Sequence, residues 1–187
     1  MMMDKVKLKL LGISEILGID DVALLGLLDE PQERQLVVTC DKAMRNQIQL
    51  YLMNQPEVAT LFPKVMASIL RSQGFQQLTV VISGIQDGEY IAEIVDELSG
   101  KHYPIRCSDG ILFSIVCKVP IYATKSLMQT QSVPFKMGET KVGLPLSALS
   151  ENMLKMSMEK AIEIENYEMA STLRDELNKR HAKNEQM

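Results

Sequence analysis

The sequence predicts an α+β fold: a mixed or antiparallel sheet packed with helices, followed by a linker and a C-terminal helical hairpin. Three observations carry this. Across the first two thirds of the chain, apolar residues recur at period two in some stretches and at helical spacing in others, with no repeated βαβ unit. Asp87 and Gly88 stand between two alternating stretches, the signal of a tight antiparallel hairpin. The stretch from Met158 to Leu177 reads as two short amphipathic helices folded against each other.

Taken in order, Lys5, Lys7 and Lys9 alternate with Val6, Leu8 and Leu10, so residues 5–13 make a half-buried strand with charge on its solvent face. The apolar run from Val22 to Leu28 is a second strand, Pro31 marks a turn, and Gln35 to Cys40 is a third. Asp41 can cap a helix whose buried stripe is Met44, Ile48, Tyr51 and Leu52. Pro63 suits the first turn of another helix, which runs through Val65, Met66, Ile69 and Leu70 and stops at Gly74. Gln76 to Ile85 then pairs with a returning strand in which Tyr90, Ala92 and Ile94 face inward. His102 to Arg106 adds an edge strand, because Pro104 lacks the amide hydrogen that a central strand uses. Ser108 opens a helix with the apolar face Ile111, Leu112, Ile115 and Val119, and Pro120 ends it before a short strand at Ile121 to Ala123.

From Gln131 to Ser150 the periodicity gives way to Pro, Gly and Ser, which marks a linker. The chain therefore divides into an α+β domain at 1–131, a linker at 132–150 and the hairpin at 151–187. In the hairpin, Leu154, Met158, Ala161 and Ile162 share one face, Glu165 and Asn166 interrupt it, and Ala170, Leu173 and Leu177 resume the period. Asn166 suits the N-cap of the second helix and Glu168 its first turn. So short a hairpin buries little apolar surface alone and needs a partner surface, its own domain's or another chain's.

Composition narrows the function classes. At 187 residues, 46% hydrophobic and 24% charged, the chain can bury one good core and carry an appendage. A net charge of -4 argues against broad nonspecific binding to nucleic acid, which relies on Lys and Arg neutralising phosphates. Cys40, Cys107 and Cys117 show no CxxC spacing, and His102 and His181 are the only histidines, which speaks against structural zinc. No secretory leader is read at the start, and the apolar run at 22–28 is too short to span a bilayer. With no disulfide framework required, a reducing cytoplasm is expected, with no membrane partner.

Residues Arg106 to Leu127 resemble the bifunctional nuclease family, whose members show R-x-S-D-A entering an apolar helix and then P-I-Y or P-I-F. Arg106, Ser108, Asp109, Pro120, Ile121 and Tyr122 match, and the preceding order of elements extends the resemblance to about the first 130 residues. The C-terminal stretch resembles the UVR motif of excinuclease subunits B and C at Glu159, Ala161, Tyr167, Glu168, Ala170, Leu173, Arg174, Asp175 and Glu176. The first resemblance implies a metal-dependent nuclease for DNA and RNA, and the second a protein-docking hairpin. On that footing Asp109 is the candidate catalytic acid and ligand for Mg²⁺ or Mn²⁺, Arg106 holds a phosphate oxygen, and Ser108 orients either one. Tyr167, Glu168, Ala170, Leu173 and Arg174 are the candidate partner contacts. The resulting expectation is a bacterial-type cytoplasmic homo-oligomer with a nucleic-acid substrate and a protein partner on the hairpin.

The same residues also have a structural reading. Ser108 and Asp109 supply what a helix start wants, a capping hydroxyl and a negative charge beside the dipole, with Arg106 pairing with the acid. Asp41 is another candidate acid and equally an N-cap, and Asp87 is most simply a turn residue. The chain departs from the family as well: Thr39 to Ala43 stand where I-G-x-x-E is expected, Phe62, Pro63 and Lys64 where T-H-D opens the second helix, and Gly110 replaces an alanine. Metal-assisted cleavage needs several converging ligands. The second expectation is therefore a noncatalytic adaptor in DNA repair or protein quality control, its first domain oligomerising or binding a ligand and its hairpin recruiting a partner.

Overall fold

In the computed structural model, residues 5–16, 19–86, 88–135, 149 and 151–184 are described. Eight strands among them form one sheet: β1 (Lys5–Ile16), β2 (Ile19–Asp29), β3 (Arg34–Asp41), β4 (Leu78–Gln86), β5 (Glu89–Asp96), β6 (Lys101–Arg106), β7 (Ile121–Thr124) and β8 (Val133–Pro134). Their order is β6-β5-β4-β7-β1-β2-β3-β8. Every neighbouring pair is antiparallel except β4 with β7, so the sheet is mixed, as the α+β reading requires. The helices are α1 (Lys42–Leu52), α2 (Phe62–Ser72), α3 (Cys107–Cys117), α4 (Lys125–Gln131), α5 (Glu151–Glu163) and α6 (Tyr167–Asn184), with a 3₁₀ turn at Pro56–Thr60.

Sheet curvature decides where the functional residues meet. Counted along the ladder, β3 and β6 run antiparallel, so in a flat sheet their C-terminal ends would lie at opposite edges. Six strand-to-strand steps separate them, and at about 20–25° per step the accumulated twist is roughly 120–150°. That rotation turns both C-terminal ends toward the same side. Bulges at Leu11 in β1 and Ser83 in β4, where one extra residue interrupts the pairing, bend the two strands that flank β7 and add to the coil.

The curled sheet wraps α3. This helix is apolar on nearly all sides, and Cys107, Ser108, Gly110, Ile111, Leu112, Ser114 and Val116 are buried, as a helix without a polar face must be. It packs on β3, β4, β5 and β6 and touches α1 and α2. Around it the main core gathers Leu25, Leu27, Leu36 and Val38 from one wing of the sheet and Val80, Ile82 and Ala92 from the other.

The opposite face of the β2–β3 wing is covered by the C-terminal hairpin. Leu24 and Val37 point away from the main core and join Ile16, Leu149, Leu154, Ala161, Ala170, Leu173 and Leu177 in a second apolar cluster. Both faces of β2 and β3 are thus buried, which explains why Val22 to Leu28 and Leu36 to Val38 are continuous apolar runs, whereas β1 alternates. The hairpin turn is as expected: Asn166 accepts the Met169 N–H at 3.2 Å and Glu165 takes a left-handed φ of 57°.

Several expectations need correction. Leu52 is half exposed, because α1 turns only Met44, Ile48 and Tyr51 inward. Val65 and Ile69 of α2 are likewise exposed, and Ala67 is that helix's one buried residue. Ile162 faces solvent while Ala161 beside it is buried. The stretch expected to be linker from residue 132 includes β8, held to β3 by Arg34, whose Nε and Nη2 donate to Ser132 Oγ and O at 2.6 Å each. The rest of that stretch, 136–148 and 150, lies outside the described residues, as does Asp87; its neighbour Gly88 takes the positive φ of 82° that the hairpin turn demands.

Candidate functional site

The C-terminal ends of β3 and β6 each lead straight into a helix, and both helix starts open on one cleft of about 710 Å³. Asp41 is the N-cap of α1: its Oδ1 accepts the Met44 N–H at 2.7 Å. Arg106 is the N-cap residue of α3, and no side chain caps the first turn of that helix. Two helix N-termini therefore face the same space, that of α1 already met by the Asp41 carboxylate and that of α3 carrying Asp109 in its first turn.

Arg106 ties the two starts together. Its Nε donates to Asp109 Oδ2 at 2.6 Å and its Nη1 to Asp41 Oδ2 at 3.1 Å, so Asp109 and an acid 65 positions before Arg106 share one guanidinium. Asp41 and Arg106 are about half exposed in their side chains, and Asp109 somewhat less, so the cluster lies at the rim. The Met44 N–H, and after it the Arg106 charge, hold the Asp41 carboxyl below the usual carboxylate range. The hydrogen bond to Asp109 comes first in raising Arg106 above its ordinary value, so it stays a cation at any working pH. Two nitrogens are engaged. Nη2, with its two N–H donors, has no hydrogen-bond partner among the described residues.

Ser108 is buried at the second position of α3 and lines the cleft, but it is not the helix cap: the helix begins one residue earlier, and Arg106 takes the cap position. The capping-hydroxyl reading of Ser108 is thereby corrected, while the pairing of Arg106 with Asp109 stands. Cys40 and Cys107 also line the cleft, and burial pushes their thiols up to about 11 and about 12, which suits inert packing rather than nucleophilic attack. Gly110 lies close against the sheet, since a Cβ there would stand 3.1 Å from Val80 Cγ1 and 3.4 Å from Ile105 Cγ2.

The remaining lining is mixed: Thr39 and Glu89 are polar, and Val22, Tyr90, Ile91, Ile105 and, from the C-terminal hairpin, Met153 are apolar. Sequence reasoning did not connect Met153 with this site, and its only signal was a place near the start of α5. Of the five candidate partner contacts, Ala170 and Leu173 are buried in the second core, at 8% and 2% exposure, while Tyr167, Glu168 and Arg174 face solvent.

No group of three or more His, Cys, Asp or Glu side chains placed to hold a metal ion occurs among the described residues. Asp41 and Asp109 are the two acids that come together. A hard divalent ion such as Mg²⁺ commonly takes only one or two protein carboxylates and completes its shell with water and phosphate oxygens. The pair stands at the lower limit of such a set, and Arg106 already engages one oxygen of each carboxylate.

In this α+β domain Asp41, Arg106 and two helix starts line one cleft, and Asp109 pairs with the same guanidinium. Residues 26–136, more than half of the chain, match the bifunctional nuclease domain, and the chain belongs to that family. The matched span runs from within β2 to just past β8 and contains Asp41, Arg106, Ser108 and Asp109. No curated protein matches the chain. Among the described residues, no helix is long and apolar enough to cross a membrane.

Proposed function

We propose that this chain is a nuclease that hydrolyses phosphodiester bonds of DNA or RNA at the Asp41–Arg106–Asp109 cluster. The observation that carries the reading is the shared guanidinium, which brings a phosphate-binding cation and two carboxylates to the rim of one cleft within the family's domain. Arg106 Nη2 and the uncapped N–H groups of α3 bind the phosphate, and Ser108, at the cleft wall, helps to orient it. Asp41 and Asp109 would hold Mg²⁺ or Mn²⁺, which supplies Lewis-acid polarisation of the phosphoryl group and a more acidic bound water. The Met44 N–H pins Asp41 to the start of α1, and Arg106 ties it to the start of α3.

The test is cleavage of labelled single- and double-stranded DNA and RNA in Mg²⁺ and in Mn²⁺ by the wild type, Asp109→Asn and Asp41→Asn. Cleavage that both variants lose by a hundredfold or more, on the order of what general acid–base groups contribute, supports the assignment. Cleavage equal in all three refutes it.

A second reading has its own observation: both acids are already paired with Arg106, and no third ligand joins them among the described residues. On that reading the chain is an adaptor. The C-terminal pair acts as a UVR-type docking element through its exposed Tyr167, Glu168 and Arg174, with Ala170 and Leu173 holding it to its own sheet. The exposed apolar side of α2 is the surface for self-association. Absence of cleavage, together with a partner lost on Tyr167→Ala, selects this reading.

A further inference from the structure

The charged rim accounts for only part of the cleft. Behind Arg106 the wall is formed by Val22, Tyr90, Ile91, Ile105 and Met153, contributed by both wings of the sheet and by the hairpin. Ile91 is exposed, and Val22, Tyr90, Ile105 and Met153 are half-buried, Val22 and Met153 resting on the second core and Tyr90 and Ile105 on the main one, so each keeps part of its surface at the cleft. Among the described residues that line the cleft there is one cation, Arg106, against two acids, Asp41 and Glu89. A duplex gripped by its backbone needs a row of Lys and Arg, one for each phosphate neutralised, and neither this lining nor the chain's net charge of -4 supplies it. One phosphate site beside an open apolar wall instead matches one nucleotide unit, with its anionic end at the rim and its planar base inside.

We infer that the apolar part of the cleft is a nucleobase subsite that takes one base of an unpaired strand, with Met153 of the C-terminal hairpin and Ile91 of β5 both in its lining. A base held in a duplex is stacked and paired and cannot enter, so the subsite selects single strands or strand ends. Apolar walls read the face of a base and not its edge, so selectivity among bases is low. The hairpin thereby forms part of the binding site as well as covering the sheet. The inference deepens the nuclease reading and rests on it for the class of ligand.

Binding is measured by fluorescence anisotropy on the full chain, with labelled short single strands, their duplexes and the same strands made abasic, in EDTA and in Ca²⁺. The expected result is single strand bound at least about tenfold tighter than duplex, with about the same loss on removing the bases, as burial of one base's apolar faces would give. Met153→Ala should weaken the normal strand and leave the abasic strand unchanged. Ile91→Ser, on an exposed strand position, should do the same and carries the test if the hairpin of Met153→Ala comes loose. Equal binding of abasic and normal strands, equal binding of duplex, or no binding at all overturns the subsite. The two proposals fail separately: base-dependent binding without cleavage in Mg²⁺ or Mn²⁺ removes the nuclease and keeps the subsite, and cleavage with base-independent binding does the reverse.

Discussion

The helix α2 and the C-terminal pair α5–α6 are both amphipathic additions to the sheet, yet their apolar faces meet opposite fates. α2 is the most strongly amphipathic helix of the chain, but Phe62 is 75% exposed, and Val65 and Ile69 are also open to solvent. The α5–α6 pair has weaker periodicity, and its Leu154, Ala161, Leu173 and Leu177 are buried against Leu24 and Val37. An apolar stripe states that a helix wants cover, and it does not name the cover. β2 and β3 offered a second apolar face to the hairpin, while the apolar side of α2 was left without one.

Four substitutions sharpen or break this contrast. Leu173→Ala removes a fully buried side chain and should cost about 2–5 kcal/mol in urea or thermal unfolding, depending on how far the site collapses. A cost below about 0.5 kcal/mol, the level of an ordinary surface change, would mean that the hairpin is undocked in solution. Asn166→Ala deletes the cap of α6 and should cost about 1 kcal/mol, whereas α2, whose N-cap is Leu61, has no side-chain cap to lose.

The hairpin also carries a pH signature. Glu151 accepts hydrogen bonds from Lys155 at 2.6 Å and from His181 of α6 at 3.1 Å, and these hold its carboxyl down to about 2. Its folded-state pKa is depressed, so the stabilisation is fully present above the ordinary 4.5 and is lost as pH falls from there through about 2. Glu151→Gln should flatten that acid limb, read by hairpin-specific hydrogen exchange across the titration. An unchanged acid limb would show that the contact between α5 and α6 carries no linkage. The smallest effect belongs to α2: Phe62→Ser should leave monomer stability within about 0.5 kcal/mol while reducing self-association in sedimentation. A large, concentration-dependent loss of stability would instead show that this face is covered in an obligate assembly.

Much of the architecture was legible because it is local. The alternation of Lys5 to Leu10, the cap at Asp41, Gly88 in its turn, Pro104 on an edge strand and Asn166 between two helices each depend on a few neighbouring residues, and each is found where the pattern places it. The short helix α4 and strand β8 escaped because they are too brief to show a period. Arg34 anchors β8 through a contact 98 positions away, and no local pattern records that.

The candidate site divides in the same way. The pairing of Arg106 with Asp109 is an i,i+3 contact on one helix start and could be anticipated from spacing alone. The arrival of Asp41 at the same guanidinium, and of Met153 at the same cleft, could not. By itself, the sequence determined the elements, their caps and the membership of Arg106, Ser108 and Asp109 in one helix start, because propensity, capping and periodicity act within a few residues. Only the tertiary structure decided that β3 and β6 end side by side, because twist summed over six strand steps is a property of the whole sheet. It also decided that the hairpin closes the back of β2 and β3 while α2 stays open, because burial depends on which apolar faces the chain brings together.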